Sequence, residues 1–335
     1  MSRHPILALS AAAVLWGLTV PLSKLALTWL DPAWLAAVRF AVAAPLLAWA
    51  GRGGLRHALS VPVALAGAFG YGLVVVLQNA GIERTSAIHA SLLIGAVPLI
   101  VGLFARARGE RLIGWRGVGA QLLSLGGIAL MAAGGGGGAS LDGDLLVLGS
   151  AVLSAAMTAL QPQLLAGRNP AAVTAVQFAA GAALAAAVGA LGASLPAVSE
   201  ATGIGSTLAR APASTAALSS LIALVTLGTV LPFWLFAVGQ ARVSAQLAAT
   251  FLNLEPLVGA LGGWLALAEP ASPRQAVGAA AVLAGIIIAS QRARRGRQGA
   301  RRPQAVRCQR ANDRAGTVFG ELTFGQLHPA ESCER

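Results

Sequence analysis

The sequence predicts an all-α polytopic membrane protein with ten transmembrane helices, arranged as two inverted five-helix repeats with both termini in the cytoplasm. Of its 335 residues, 56% are hydrophobic and 11% are charged, and the mean hydropathy is +0.72. The apolar residues form runs of about 20, the length that crosses a bilayer. The two halves also share residues at a nearly constant spacing. A water-soluble enzyme, which usually carries about 25% charged residues, is excluded.

Ten apolar runs are separated by charges and by Gly, Pro or Ser. The spans are expected at 5–29, 33–50, 61–80, 86–105, 116–134, 143–165, 171–193, 214–237, 244–266 and 274–291. The first run follows Arg3, but it is longer than the apolar part of a secretory signal and lacks a small-residue cleavage site. We therefore interpret it as a retained span.

The distribution of arginine predicts the orientation. With the N-terminus inside, nine Arg fall at cytoplasmic ends of spans and three at outer ends. Cytoplasmic loops are enriched in Lys and Arg, so this count favours an N-terminus inside, and ten spans return the C-terminus to the same side. The expected location is the cytoplasmic (inner) membrane, as a multi-pass protein.

The second half of the chain repeats residues of the first. Pro98 matches Pro256 at an offset of 158 residues, and Glu110 matches Glu269 at an offset of 159. Five spans per copy is an odd number, so the second copy enters the membrane from the opposite side. Inverted repeats of this kind are typical of secondary transporters. Chance similarity between two alanine-rich halves is the alternative interpretation.

The predicted organisation follows from the spans and the repeat. A first repeat is expected at 5–134, a glycine-rich outer linker at 135–142, a second repeat at 143–291 and a basic cytoplasmic tail at 292–335. The tail has no sustained periodicity and is expected to be disordered, with its first Arg cluster near anionic headgroups.

Several short motifs occur in the order seen in one transporter family. They are Trp16-Gly17 with Lys24, Arg39-Phe40, Pro98, Glu110-Arg111, Glu255-Pro256 and Glu269. Over residues 5–291 the chain resembles the EamA family of the drug/metabolite transporter (DMT) superfamily. The resemblance implies a ten-helix inner-membrane carrier, commonly an exporter of amino acids or related metabolites, with a central cavity between its repeats. The sixth span lacks the Trp-Gly of the first, and the tail extends beyond the resemblance.

Glu255 is the leading candidate for substrate binding or coupling. It lies 11 residues into the ninth span, about 16 Å deep at 1.5 Å per residue, where an ionisable group is costly unless it is paired or wet. Its carboxyl could carry a proton or meet a substrate ammonium, or it could simply pair with a neighbouring helix. Asn253 lies in the same span, but on a regular helix the two side chains point to different sides. Pro256 could free a backbone carbonyl at Leu252 for a ligand.

Four further residues are candidates for substrate binding or coupling. Arg39 is expected about 10 Å deep in the second span, where it could hold a substrate carboxylate or form a fixed structural pair. Trp16 could stack on a ligand or simply pack between helices. Gln78 is expected at the end of the third span, where it could bind substrate or join helices. His89 is expected at the start of the fourth span, where it could relay protons or be solvated.

Three prolines are candidate hinges. Pro21, Pro98 and Pro256 interrupt predicted spans in both copies. Bent helices can act as hinges in alternating access, whereas a static kink repaired by packing is the alternative.

The remaining composition narrows the function classes. The net charge of +12 divides equally between residues 1–290 and 291–335, which suits membrane orientation and anionic lipid better than nucleic acid. The two cysteines, Cys308 and Cys333, lie in the tail, and no metal-binding or Walker motif is present. We expect no cofactor and no metal, and the oligomeric state is left open.

The expected function is a secondary carrier that exports small metabolites, with amino acids as the leading class because of the family resemblance. Import or exchange of another small organic solute is the first alternative. An intramembrane enzyme is a weaker one, because only His89 of the four histidines lies near a span and no paired acid accompanies it. A channel or a purely structural membrane protein is the third class.

Overall fold

The structure is a computed structural model that describes residues 4–85, 90, 93–107, 114–132, 140–195, 215–255, 257–258, 273–274 and 276–288. These residues belong to one compact unit, 2–289. Regular secondary structure in them is entirely helical. The predicted tail at 292–335 lies outside the described residues.

The helices are numbered in chain order. They are α1 His4–Gly17, α2 Thr19–Leu27, α3 Pro32–Ala50, α4 Val61–Arg84, α5 Val97–Ala107, α6 Gly114–Ala132, α7 Leu141–Leu165, α8 Pro170–Ser194, α9 with consecutive segments Thr215–Val225, Thr226–Val230 and Leu231–Gln240, α10 Ala245–Leu252 and α11 Ala276–Ile288. A 3-10 turn, Arg52–Gly54, and one helical turn, Leu55–Ala58, join α3 to α4.

Five helices in the described part of the chain are long and apolar enough to cross a membrane. They are Pro32–Ala50, Val61–Arg84, Leu141–Leu165, Pro170–Ser194 and Leu218–Gln240. α1, α6 and α11 contain shorter apolar stretches. Each long helix keeps large apolar side chains exposed, which suits lipid rather than water as the surrounding solvent.

α3 and α8 begin in the same way and form the centre of the packing. The Asp31 side chain caps α3, and Asn169 caps α8, in each case followed by a proline at the first helical position. Eight residues after each proline lies a fully buried phenylalanine, and the Phe40 and Phe178 rings lie 4.7 Å apart. The two helices therefore present equivalent residues to each other at the core.

Each repeat contains a π-helical segment. Ala68–Leu73 interrupts α4 and Thr226–Val230 interrupts α9. The segments begin 158 residues apart, the same offset as the sequence matches. In the second segment the Thr229 hydroxyl donates to Leu224 O at 2.8 Å, five residues back. Such bulges are frequent at functional sites because they leave backbone groups outside the regular ladder.

The helix breaks lie about one turn before the candidate hinge prolines. α1 and α2 are separated at Leu18, before Pro21, and turn residues 95–96 precede α5, in which Pro98 is the second residue. A proline cannot donate to the carbonyl four residues back, which explains these positions. α10 ends at Leu252 and Asn253 is a turn; Pro256 itself lies outside the described residues.

Several helix ends differ from the sequence prediction. The first span is two helices rather than one, because of the break at Leu18. α4 continues to Arg84 instead of ending near 80, and its end is set by the extended residue Thr85. α7 begins at Leu141, before the expected 143, because the Ser140 hydroxyl accepts from Gly143 N. The acids at 142 and 144 therefore lie in its first turn, where negative charge is favourable.

Candidate functional site

A polar cavity of about 110 Å³ lies among α1, α2, α3, α4, α5, α7, α9 and α10. One water needs roughly 10–15 Å³ by such a measure, so the cavity has room for several waters or one small solute. Four of the predicted site residues line it: Trp16, Arg39, Gln78 and Glu255. Long-range packing thus brings together residues up to 239 positions apart in the sequence.

Arg39 lines the cavity from α3 and is only 5% exposed. Its Nε donates to Thr229 Oγ1 at 3.0 Å and its Nη2 donates to Gly228 O at 3.2 Å. Within the described part of the chain it has no carboxylate partner. A buried guanidinium whose described acceptors are neutral is a suitable partner for an anionic group of a ligand.

The acceptor at Gly228 exists because of a proline. Regular α-helical bonding would bring the N–H of residue 232 to Gly228 O, but Pro232 has no N–H. The same reasoning applies on α7, where Pro162 leaves Thr158 O without its helical donor. There Gln240 Nε2 donates to Thr158 O at 3.2 Å. Two prolines within helices therefore expose backbone acceptors that cavity-lining side chains use.

Glu255 lines the cavity just beyond the turn at Asn253 and is partly buried. It has no hydrogen-bond or ion-pair partner among the described residues; substrate binding and a fixed pair with a neighbouring helix both stay predictions. The backbone comes very close to α1, since a Cβ at Gly17 would lie 2.7 Å from Glu255 O and 2.6 Å from Val258 Cβ. Only glycine permits this approach, so the Trp16-Gly17 pair combines a cavity side chain with a contact that positions Glu255.

Aromatic rings form one wall of the cavity. The Trp16 ring centroid lies 4.9 Å from that of Phe233 and 5.1 Å from that of Phe236, both edge-on. Tyr71 meets Phe233 edge-on at 5.0 Å. Trp16 therefore packs between helices and also lines the cavity, and its stacking on a ligand stays a prediction. Edge-on rings suit an apolar or aromatic part of a ligand.

Uncharged amides line another part of the cavity. Gln78 is inside α4 rather than at its end, because the helix continues to Arg84. Asn79 is anchored by donating from Nδ2 to Pro32 O at 3.2 Å, whereas Gln78 makes no bond to described residues. Gln161 exchanges two hydrogen bonds with Gln177, at 2.9 and 3.1 Å, and both are fully buried.

Some predicted residues are not placed at the cavity. Asn253 is 1% exposed but does not line it, as its spacing from Glu255 suggested, and its Oδ1 has no partner among the described residues. His89 and Pro256 lie outside the described residues. Pro21 lies in α2 and Pro98 in α5, and the structure leaves their role as hinges a prediction.

Other cavity residues escaped the sequence analysis. Ser154, Thr158 and Gln161 follow one face of α7 at intervals of four and three residues, and all line the cavity. A polar stripe with helical spacing in an otherwise apolar helix was the signal that would have found them. Tyr71 and Gln240 carried no such pattern. The described residues contain no cluster of three or more His, Cys, Asp or Glu that could hold a metal.

Comparison with known proteins gives a family match and matches to solved structures, but none to a curated protein. The sequence model of the EamA-like transporter family matches residues 4–133 and again residues 141–291. One solved structure, titled "Crystal structure of protein", has a TM-score of 0.71 and 23% sequence identity, over 88% of this chain and 99% of that chain. This likeness shows the fold alone. No curated protein matches the chain.

Proposed function

Because the chain belongs to the EamA-like transporter family, which makes it a multi-pass membrane transporter for a small molecule, we propose that it is a secondary carrier exporting amino acids or related metabolites by alternating access. One observation carries the proposal. Arg39 and Glu255 line the same cavity, and neither is neutralised by an opposite charge among the described residues. A cavity lined by a cation and a carboxylate suits a zwitterion.

The remaining lining supports the same class of substrate. The substrate carboxylate binds Arg39 and its ammonium binds Glu255, with the Gln78 amide available to either group. The apolar side chain lies against Trp16 and Phe233. Small-molecule sites usually combine apolar and aromatic side chains with convergent polar groups, as this cavity does.

The proposed topology is ten membrane spans in two inverted repeats. The protein lies in the inner membrane, with both termini on the cytoplasmic side. The excess of Arg at cytoplasmic ends supports the orientation, and the paired π segments at a 158-residue offset support the repeats. The domain bounds proposed are 5–134 and 143–291, joined by a linker at 135–142. The tail at 292–335 would then lie on the cytoplasmic face, near anionic headgroups.

Alternating access needs helices that can bend. Breaks at Leu18, at 95–96 and at Asn253 lie one turn before Pro21, Pro98 and Pro256, and we place the hinges there. The breaks in α1–α2 and at Asn253 flank Trp16 and Glu255 in the chain, so a bend at either would move a cavity side chain directly.

Coupling to protons through Glu255 is part of the proposal. A carboxyl in a cavity can be neutral or ionised, and only the ionised form attracts an ammonium strongly. In proteoliposomes, an imposed pH gradient is expected to drive transport by the wild type and not by Glu255→Gln. Wild-type transport that is unchanged by the gradient would exclude the coupling but not the carrier.

The first test is metabolite profiling of medium and cytosol from cells that overexpress the wild type, Glu255→Gln or Arg39→Gln at matched membrane levels. Glu83→Gln is the matched control, because Glu83 is an exposed carboxylate at the end of α4 and does not line the cavity. Export predicts amino acids in the medium with the wild type and the control only. If the wild type changes no metabolite, export is refuted. If amino acids instead accumulate in the cytosol, export is also refuted and uptake is favoured.

A further inference from the structure

A second hollow lies beside the polar cavity on the outer surface of α4 and α7. It is an apolar groove of about 480 Å³, and Gln163 is its one polar side chain among the described residues. Leu65, Phe69 and Leu160, which line it, are 53%, 50% and 43% exposed. In a membrane transporter such an exposed apolar groove faces the hydrocarbon of the lipid.

The wall between the groove and the polar cavity is very thin. Gly70 and Met157 line both hollows. A Cβ placed on Gly70 would lie 2.6 Å from Met157 Sδ and 2.7 Å from its Cγ, so the methionine side chain rests directly on the glycine backbone. One buried side chain, 4% exposed, therefore separates the cavity from the groove at this point.

This wall is built from parts that can move. Methionine has three rotatable bonds beyond its Cα and adapts to irregular surroundings. Gly70 carries no side chain and lies in the π segment Ala68–Leu73, where the backbone departs from the regular helical ladder. Met157 Cβ lies 2.9 Å from the same Cβ position on Gly70 and keeps its place in every rotamer, so rotation of the Met157 side chain opens the part of the wall that its Cγ and Sδ fill.

The two sides of the wall have opposite polarity. On the cavity side, Ser154 and Gln161 neighbour Met157 along α7, whereas Leu153 and Leu160 neighbour it on the groove side. We propose that Gly70 and Met157 form a lateral portal, through which the hydrocarbon tail of an amphipathic substrate lies in the groove while its charged head occupies the cavity. The substrate class rests on the proposed function; the portal does not.

The substrate class can be tested with a series of straight-chain amino acids: alanine, norvaline, norleucine and the eight-carbon homologue. Their affinities are measured on the purified full chain in nanodiscs. Each added methylene that enters the groove is expected to raise affinity about fourfold. Leu160→Trp fills the groove and is expected to remove this gain for the longer members alone. Val152→Trp is the matched control, because Val152 is similarly exposed on α7, at 41%, but does not line the groove.

Equal chain-length dependence in the wild type and both variants would overturn the placement of the tail in the groove. If no member of the series binds the wild type, the amino-acid class of the proposed function fails. The portal itself is then decided by a measurement that needs no substrate.

That measurement uses Ser154→Cys, which places a thiol on the cavity side, in a chain with Cys308 and Cys333 replaced by serine. A hexadecyl methanethiosulfonate dissolved in the bilayer is expected to modify it through the portal, and a water-soluble sulfonatoethyl analogue serves as the reference. Adding Leu160→Trp should slow only the hexadecyl reagent, and adding Val152→Trp should slow neither. Failure of the hexadecyl reagent to react, or equal rates with both tryptophan variants, would overturn the portal.

Discussion

Arg39 on α3 and Thr229 in the π segment of α9 are joined by a 3.0 Å hydrogen bond from Nε to Oγ1. The residues are 190 positions apart and belong to different copies of the sequence repeat. The same hydroxyl donates to Leu224 O, so Thr229 ties the arginine to the irregular backbone behind it. The cavity cation is therefore held in place by the other repeat.

Arg39→Lys is expected to abolish most transport although it keeps the charge. A lysine ammonium on a flexible stem cannot reproduce the planar donor pair that serves Thr229 Oγ1 and Gly228 O. A hydrogen bond to a charged group contributes about 1.5–3 kcal/mol, so losing one such bond between residue 39 and the substrate carboxylate should lower substrate affinity by roughly ten- to a hundredfold. Uptake or binding in proteoliposomes measures this. Arg52→Lys, at an exposed arginine over the Trp49 ring, should behave as the wild type; equal losses in both variants would contradict a specific role.

Thr229→Val is expected to destabilise the protein by about 1–3 kcal/mol, because it leaves the buried Arg39 Nε without its acceptor and Leu224 O without its donor. Thr229→Ser keeps the hydroxyl and should lose much less. Thermal unfolding of the purified protein in detergent compares the two. Equal melting temperatures for the valine and serine variants would show that the hydroxyl contributes nothing.

Gly17→Ala is expected to destabilise the protein by about 1–3 kcal/mol, since the added methyl group meets Glu255 O and Val258 Cβ at less than 3 Å. The backbone carrying Glu255 must then move, so transport should fall as well. Gly119→Ala provides the control: a Cβ there meets nothing within 4 Å, and the helix should gain up to about 1 kcal/mol. Matching behaviour of the two variants would contradict the close approach.

Gln161 and Gln177 are expected to be strongly coupled. Replacing either by leucine leaves the other amide buried without its partner, at a cost of about 1–3 kcal/mol. The double variant removes both polar groups and should cost less than the sum of the single losses. A double-mutant cycle on the free energy of unfolding in detergent checks this, and additive losses would mean that the amide pair is not a unit.

The sequence by itself determined the class of protein and part of its site. Runs of about 20 apolar residues admit little besides helices in a bilayer, because every backbone polar group must be satisfied internally there. The order of short motifs also identified the EamA family, which the family match confirms. Arg39 and Glu255 stood out because charge inside an apolar span is rare and costly, and the structure places both at one cavity.

Tertiary structure alone decided what those residues contact. The partners of Arg39 are on α9, the contact that positions Glu255 is with Gly17 on α1, and Gln161 pairs with Gln177 on the neighbouring helix. Such pairings depend on how helices pack, within the second repeat for Gln161 and Gln177 and between the repeats for the other two, which local periodicity does not encode. The thin wall at Gly70 and Met157 is a further example, because neither residue carries a charge or motif. It exists only because α4 and α7 pack closely enough for one side chain to fill the space between a polar cavity and an apolar groove.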